Sequence, residues 1–231
     1  MVLVRPDTRS AALDSERRTL ALAEAPVPVT VVGDVAYPVD RVADWDLVVG
    51  TARASGAGLV HLEGGCDHAV VPFLSIAAAA GWEPIVVTGP AAYDPACLAA
   101  SELTGRLLVE VPFLPYEDGD AAPVTAEHAG FLDALGGPRT GDALLAASAF
   151  WRWVTAAAAC GTDLDRECLA DQAATIDAWT GAGLHPAVGL DGSMEPCVVV
   201  LGVEDGEFVR RLPTEPGTYD CTPEWSVSLS G

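Results

Sequence analysis

The 231-residue chain contains no lysine and no asparagine. Without lysine, no side chain forms a Schiff base with a carbonyl substrate, and no P-loop lysine meets a nucleotide's phosphates. Without asparagine there is no N-glycosylation sequon and no Cys-His-Asn triad. Positive charge is scarce throughout: 12 arginines stand against 33 acidic residues, for a formal net charge of −21. A field of that sign repels phosphate backbones and anionic membrane surfaces, so nucleic acid is not an expected partner. Long apolar runs are missing as well. The most apolar helix candidate, DALLAASAFWRWVTAAAAC, is interrupted by Arg152 and has no clean span of about 20 apolar residues. The opening stretch, MVLVRPDTRSAALDSERR, has no apolar core long enough to direct export.

Half of the residues are apolar, enough for one sizeable core or two small lobes sharing a hinge. Six cysteines are also present. An even number this high favours an oxidising compartment, which is at odds with an opening that carries no export signal.

Apolar periodicity orders the first 110 positions. Val2-Leu3-Val4 reads as a strand, followed by a polar helix around Leu13, Leu20 and Leu22. VTVVGDVAYP, from Val29, reads as a second strand, and Asp44 to Ser55 as a helix with Trp45, Val48, Val49 and Ala52 on one face. Strands follow at Gly58 to Leu62, Pro84 to Thr88 and Leu107 to Val111, separated by the helices HAVVPFLSIAAAAG and Asp94 to Leu103. This alternation predicts βαβ units and a doubly wound, mostly parallel α/β sheet. VPFLPYEDGDAAPVT then reads as a crossing segment, its EDGD from Glu117 as solvated charge. Helices are expected at Ala126 to Leu135, at Gly141 to Cys160 and on to about Trp179. A hairpin turning at Asp205-Gly206 is expected near the end.

The stretch HLEGGCDH, His61 to His68, falls at the carboxyl end of a predicted strand, where open α/β sheets bind ligands. One reading is enzymatic: Cys66 as nucleophile, His68 as base, and Asp67 or Glu63 as orienting carboxylate. Its difficulty is geometric, because residues two apart in a loop rarely oppose one another as base and nucleophile must. No cofactor is expected, since the Gly-Gly pair lacks the spacing of a dinucleotide site. No metal is expected either: zinc-type cysteine and histidine spacings are absent, and His61, His128 and His185 read as ordinary hydrogen-bonded histidines.

A βα-rich lobe, a Pro-marked crossing, long helices, a CGxDLxRxCL turn, a GAGLHP loop and a hairpin ending in TYDC occur in that order. With DWDLVVGTARASGAGLVHLEGG and the G-W-x-P-I after the next helix, the order resembles a family of bacterial ABC-transporter solute-binding proteins. The family is the leucine/isoleucine/valine-binding type, with the type I periplasmic-binding fold. The resemblance spans nearly the whole chain. It implies an α/β second lobe at 1–112, a crossing segment and helices of a partly missing first lobe at 113–160, and a helix, hinge return and hairpin at 161–231. It implies a non-catalytic role: binding a small molecule, such as an amino acid, and delivering it to an ABC permease from the periplasm or cell surface. It also implies that the chain is an N-terminally truncated piece, with a signal peptide or lipoprotein cysteine upstream.

Within that layout, local proximity pairs Cys66 with Cys97, Cys160 with Cys168 and Cys197 with Cys221, although six cysteines allow many connectivities. The alternative is six free thiols. The family's acidic ligand residue aligns with Ala69 here. The resemblance therefore places the pocket but not an amino-acid specificity: either Asp67 or His68 takes that part, or the ligand carries no ammonium there. Glu63 and Gly65 belong to the same loop. Thr8, Arg9 and Ser10 precede a helix where backbone N–H groups meet anions, and Arg9 is either a carboxylate fork or a solvated arginine. Tyr37 and Tyr93 are either ligand contacts or packed loop tyrosines. Trp151 and Trp153, beside Phe150, are expected to pack in the core or between lobes. Two rival functions stand beside transport: a ligand-sensing regulatory domain of the same fold, and a hydrolase centred on Cys66.

Overall fold

The computed structural model describes residues 1–100, 103–190 and 193–221. Five parallel strands form most of one sheet: β1 (Val2–Pro6), β2 (Gly33–Tyr37), β3 (Leu59–Leu62), β4 (Ile85–Thr88) and β5 (Leu107–Val111). An antiparallel hairpin, β6 (Val199–Glu204) and β7 (Glu207–Leu212), extends it, in the order β2-β1-β3-β4-β5-β6-β7. Asp205 and Gly206 both take positive φ, 49° and 78°, the backbone that a tight two-residue hairpin turn demands.

Seven helices accompany the sheet among the described residues: α1 (Arg9–Glu24), α2 (Trp45–Ala54), α3 (Val71–Ala79), α4 (Pro95–Leu98), α5 (Pro123–Leu135), α6 (Gly141–Cys160) and α7 (Arg166–Thr175). Thr8, Asp44, Thr140 and Asp165 each cap a helix, accepting a backbone N–H from inside the first turn. The chain steps from β1 outward to β2 and then back across to β3. Right-handed crossovers in opposite directions put α1 and α2 on opposite faces of the sheet. On the α2 face, Val60, Leu62, Val86, Leu107, Val109, Val111, Val199, Leu201 and Val203 are fully buried. On the α1 face, buried Ser15 donates to Asp34 at 3.0 Å, and Arg5 pairs with the same carboxylate at 2.9 Å.

Several element boundaries differ from the sequence expectation, among them α5, which starts at Pro123 and not at Ala126. The β2 ladder begins at Gly33 and not at Val29, because its partner strand begins at Val2, opposite Gly33. The helix after HLEGGCDH opens as a wide π turn over Cys66–Val70 before α3 starts at Val71. Pro72 has no N–H to continue a regular ladder there. The helix expected over Asp94 to Leu103 is the four-residue α4, and Ser101 and Glu102 lie outside the described residues. Helix α7 ends at Thr175, short of Trp179, because Ala178 takes φ 52° and Trp179 turns back to pair with Val188.

The three cysteine pairs expected from proximity are closed: Cys66–Cys97, Cys160–Cys168 and Cys197–Cys221. Three remote segments converge beside the hairpin. The Leu184 carbonyl accepts both the Leu114 N–H, at 2.9 Å, and the Tyr219 hydroxyl, at 2.5 Å. Asp118 is not solvated loop charge: it is buried, forks onto buried Arg210 and accepts the Gly217 N–H at 3.1 Å. The expectation for EDGD is corrected at Asp118, which turns inward against the hairpin, while Glu117 and Asp120 are exposed.

By length and hydropathy alone α6 is able to cross a membrane. Its inner face instead carries Ser148, buried in a polar knot. The Trp179 indole N–H donates to Ser148 Oγ at 2.9 Å, and Ser148 Oγ lies 2.7 Å from His185 Nε2. His185 Nδ1 faces the Pro186 carbonyl at 2.8 Å, so Nδ1 carries the proton and the serine hydroxyl donates to Nε2. The outer face is bare. Phe150 and Trp153 stack at 6.0 Å yet are 60% and 49% exposed, with Trp151 at 57%.

Candidate functional site

The carboxyl ends of β1, β2, β3 and β4 form a single rim, and every ligand-facing residue expected from the sequence lies on it. Residues 7–10 follow β1, Tyr37 ends β2, residues 63–68 follow β3 and Tyr93 follows β4. The structure separates them into two groups by what their polar atoms already touch.

The tyrosines belong to the packed group. Tyr37 is buried, and its hydroxyl donates to the Glu63 carbonyl at 2.6 Å. Burial and the nearby Glu63 charge push its phenol up to about 12. This hydroxyl also fixes the glycine next door. Gly64 takes φ 142°, and a Cβ there would lie 2.6 Å from the Tyr37 oxygen and 2.5 Å from Ala69 Cβ. Tyr93 is buried too; its hydroxyl donates to Glu117 at 2.6 Å and accepts the Tyr116 N–H at 2.8 Å. Burial pushes the Tyr93 phenol up, with Glu117's charge and hydrogen bond adding to it. Both tyrosines are thus framework groups that hold loops, and neither presents its hydroxyl to the rim.

Cys66 belongs to the framework as well. Its bond to Cys97 ties the loop after β3 to the helix after β4, so its sulfur is not a thiolate nucleophile. Gly65 supplies the carbonyl that receives the N–H groups of both Ala69 and Val70, at 3.0 and 3.2 Å, which starts the wide turn. Ala69, where the family's acidic residue aligns, is fully buried under this turn.

The second group faces outward. Arg9, Ser10, Asp67 and His68 are exposed, and Thr8 is half-buried with its hydroxyl 3.2 Å from that of Ser10. Glu63 is half-buried on the α1 face, and burial raises its carboxyl pKa, an effect that Arg18 opposes. The rim therefore offers a cation in Arg9, an anion in Asp67, an imidazole in His68 and two hydroxyls. Groups of these kinds are chemically able to pair with and hydrogen-bond a polar solute. Among the described residues, no three histidines, cysteines or carboxylates come together as metal ligands.

Two groups escaped the sequence reading. Arg18 packs against the sheet so that its field reaches His61, Glu63 and Glu110. Glu117 anchors Tyr93. The signal for Arg18 was its place one turn after Ser15 on the inward face of α1; nothing in the sequence marked Glu117 apart from its acidic neighbours.

No protein-family model matches the chain, and no curated protein sequence does. Solved structures do match. A leucine-binding protein, LivK, from Thermotoga maritima superposes with a TM-score of 0.68 at 16% identity, over 91% of this chain and 59% of that one. A fatty acid ABC transporter substrate-binding protein from Thermomonospora curvata gives 0.73 at 18% identity, over 90% and 55%. The branched-chain amino acid transporter substrate-binding protein LivJ from Streptococcus pneumoniae, solved with isoleucine, gives 0.67 at 12% identity, over 91% and 60%. The fold is that of type I periplasmic-binding proteins, the one the sequence motifs resemble. The chain spans less than two thirds of the length of each of these structures.

Proposed function

We propose that the chain binds a small solute, an amino acid or a related molecule, as part of the solute-binding component of an ABC importer. The observation that carries this reading is the rim. In a sheet of this order, side chains of both charge signs stand free at the carboxyl ends of the parallel strands, while the loop's cysteine and tyrosines are locked away from it. A solute lying there takes its carboxylate to Arg9 and the N–H groups at the start of α1, and its ammonium to Asp67. His68 and Ser10 supply further hydrogen bonds. The solved structures with the same fold, among them a leucine-binding and an isoleucine-bound protein, support the ligand class.

We further propose that this α/β unit is one wall of a two-walled cleft. The segments meeting at Leu184 then serve as the hinge, and the bare aromatic face of α6 packs on the second wall. Closure follows from the solute's greater affinity for the closed form. The closed form docks on a permease, and three disulfides favour an extracytoplasmic setting. The test is native mass spectrometry of the protein taken from its host without exchange of bound solute. The expected result is a retained mass of amino-acid size that is lost in an Arg9→Ala/Asp67→Ala variant. A protein that retains no solute, and that no amino acid or fatty acid stabilises against heat, refutes the reading.

A further inference from the structure

A cleft of about 210 Å³ lies where α4, the segment after β5, the approach to α6 and the start of β7 meet. Its walls are Pro95, Leu98, Tyr116, Glu117, Arg139 and Phe208. The composition is uneven in an informative way. One side is apolar, made by Pro95, Leu98 and Phe208. The lining also holds a carboxylate, Glu117, a guanidinium, Arg139, and the Tyr116 ring.

Both charged groups are held in place before any ligand arrives. Glu117 receives the Tyr93 hydroxyl at 2.6 Å, and Tyr93 is itself fixed by the Tyr116 N–H. Arg139 engages Asp133 through Nε at 3.2 Å and Nη2 at 2.5 Å, with Cζ 5.9 Å above the Tyr116 ring. That fork uses one edge of the guanidinium and leaves Nη1, among the described residues, to a ligand. Tyr116 is in turn fixed by a 2.9 Å contact between its hydroxyl and His128 Nδ1. Such preorganisation lowers the ordering cost of binding.

Charge and size then select the occupant. A bare anion is repelled by Glu117 and a bare cation leaves the free edge of Arg139 unused, whereas a molecule carrying both signs engages both. Burial raises the Glu117 carboxyl pKa, so its ionised form gains from an incoming cation. The volume equals that of about seven water molecules at about 30 Å³ each, well below the several hundred Å³ of a drug-sized pocket. We propose that this cleft binds a small zwitterion of α-amino-acid size. Its ammonium meets Glu117, its carboxylate meets Arg139, and its apolar side chain lies against Leu98, Pro95 and Phe208. The cleft joins α4 and β7 to the approach to α6. Gly141, the first residue of α6, already donates to the Tyr93 carbonyl at 2.9 Å, and a Cβ there would lie 2.7 Å from the Pro90 carbonyl. An occupant therefore braces α6 against the sheet. The inference uses none of the outward-facing rim groups Arg9, Ser10, Asp67 or His68.

The test is a titration of the full chain with L-leucine, followed by backbone amide NMR shifts. Isocaproate, which lacks the ammonium, and isoamylamine, which lacks the carboxylate, are titrated in parallel. L-leucine is expected to saturate the shifts of Leu98, Glu117 and Phe208 at concentrations on the order of millimolar, with each analogue about tenfold weaker or more. Glu117→Gln weakens the same shifts, and Leu98→Trp, which fills the cleft, abolishes them even if the first variant proves unstable. Shifts at Gly65 and Asp67 report separately on the rim. The inference is overturned if the cleft shifts do not saturate, if either analogue matches L-leucine, or if Leu98→Trp leaves them intact.

Discussion

His61 stands in β3, an interior strand of the sheet, with 4% of its surface exposed, and its burial sets a pH response for the protein. Burial first, and the Arg18 charge second, lower its pKa from 6.5 to about 3. A histidine whose folded pKa is depressed contributes full stability above its unfolded pKa and loses it as pH falls toward the folded value. The window is therefore from 6.5 down to about 3. Near pH 5 the loss amounts to about 2 kcal/mol. Glu63 and Glu110, which share Arg18, have raised pKa values and respond in the opposite sense: protonation in acid favours their folded form. The pH 7 minus pH 5 difference in unfolding free energy, extrapolated from urea curves, is expected to be larger by about that amount in the native chain than in His61→Leu. A second residue-scale expectation concerns the buried Asp118–Arg210 pair. Asp118→Ala leaves Arg210 buried without its partner and costs about 3–5 kcal/mol, whereas Asp118→Leu/Arg210→Met together cost much less. A double-mutant cycle by chemical denaturation measures the difference. Tyr37→Phe removes one hydrogen bond to the Glu63 carbonyl and is expected to cost about 1 kcal/mol, read by the same method.

At the scale of elements, the strands were legible because a sheet buried on both faces needs apolar runs, and Val2-Leu3-Val4 supplies one, as does Leu107 to Val111 apart from Glu110. The extent of each strand was less legible, since a ladder lasts only as long as its partner: the run from Val29 pairs in β2 from Gly33 onward. Helix ends were readable where a cap residue marked them, as at Thr8 and Thr140. They were unreadable where a backbone inversion decided, as at Ala178. At the rim, sequence placed the loops but not the hydroxyl of Tyr37 or Tyr93, because a tyrosine's partner is set by tertiary approach. The cysteine pairs differ in the loop each closes, 31 residues for Cys66–Cys97 and 8 for Cys160–Cys168. On loop-entropy grounds the first contributes about 3.7 kcal/mol and the second about 2.5. Replacing each pair by alanines and comparing melting curves is expected to give that order. The stacked Phe150 and Trp153 on α6 form an apolar face of the kind that binds partners or dyes. Phe150→Ser/Trp153→Ser is expected to lower anilinonaphthalene sulfonate fluorescence with little change in stability.

The molecule as a whole carries −21 formal charges on 231 residues. Self-repulsion of that size opposes compaction, and salt screens it over a Debye length of about 10 Å at 0.1 M. Melting temperature is expected to rise when sodium chloride is raised from about 10 mM to about 100 mM. A fall instead would show that local ion pairs such as Arg5–Asp34 outweigh the global field. One oxygen atom has a reach beyond its size. Because the Leu184 carbonyl receives donors from two segments far away in the sequence, three threads of the chain share a single knot. Twisting any one of them pulls on the others, so motion there is geared, with one coordinate where three independent ones would otherwise exist.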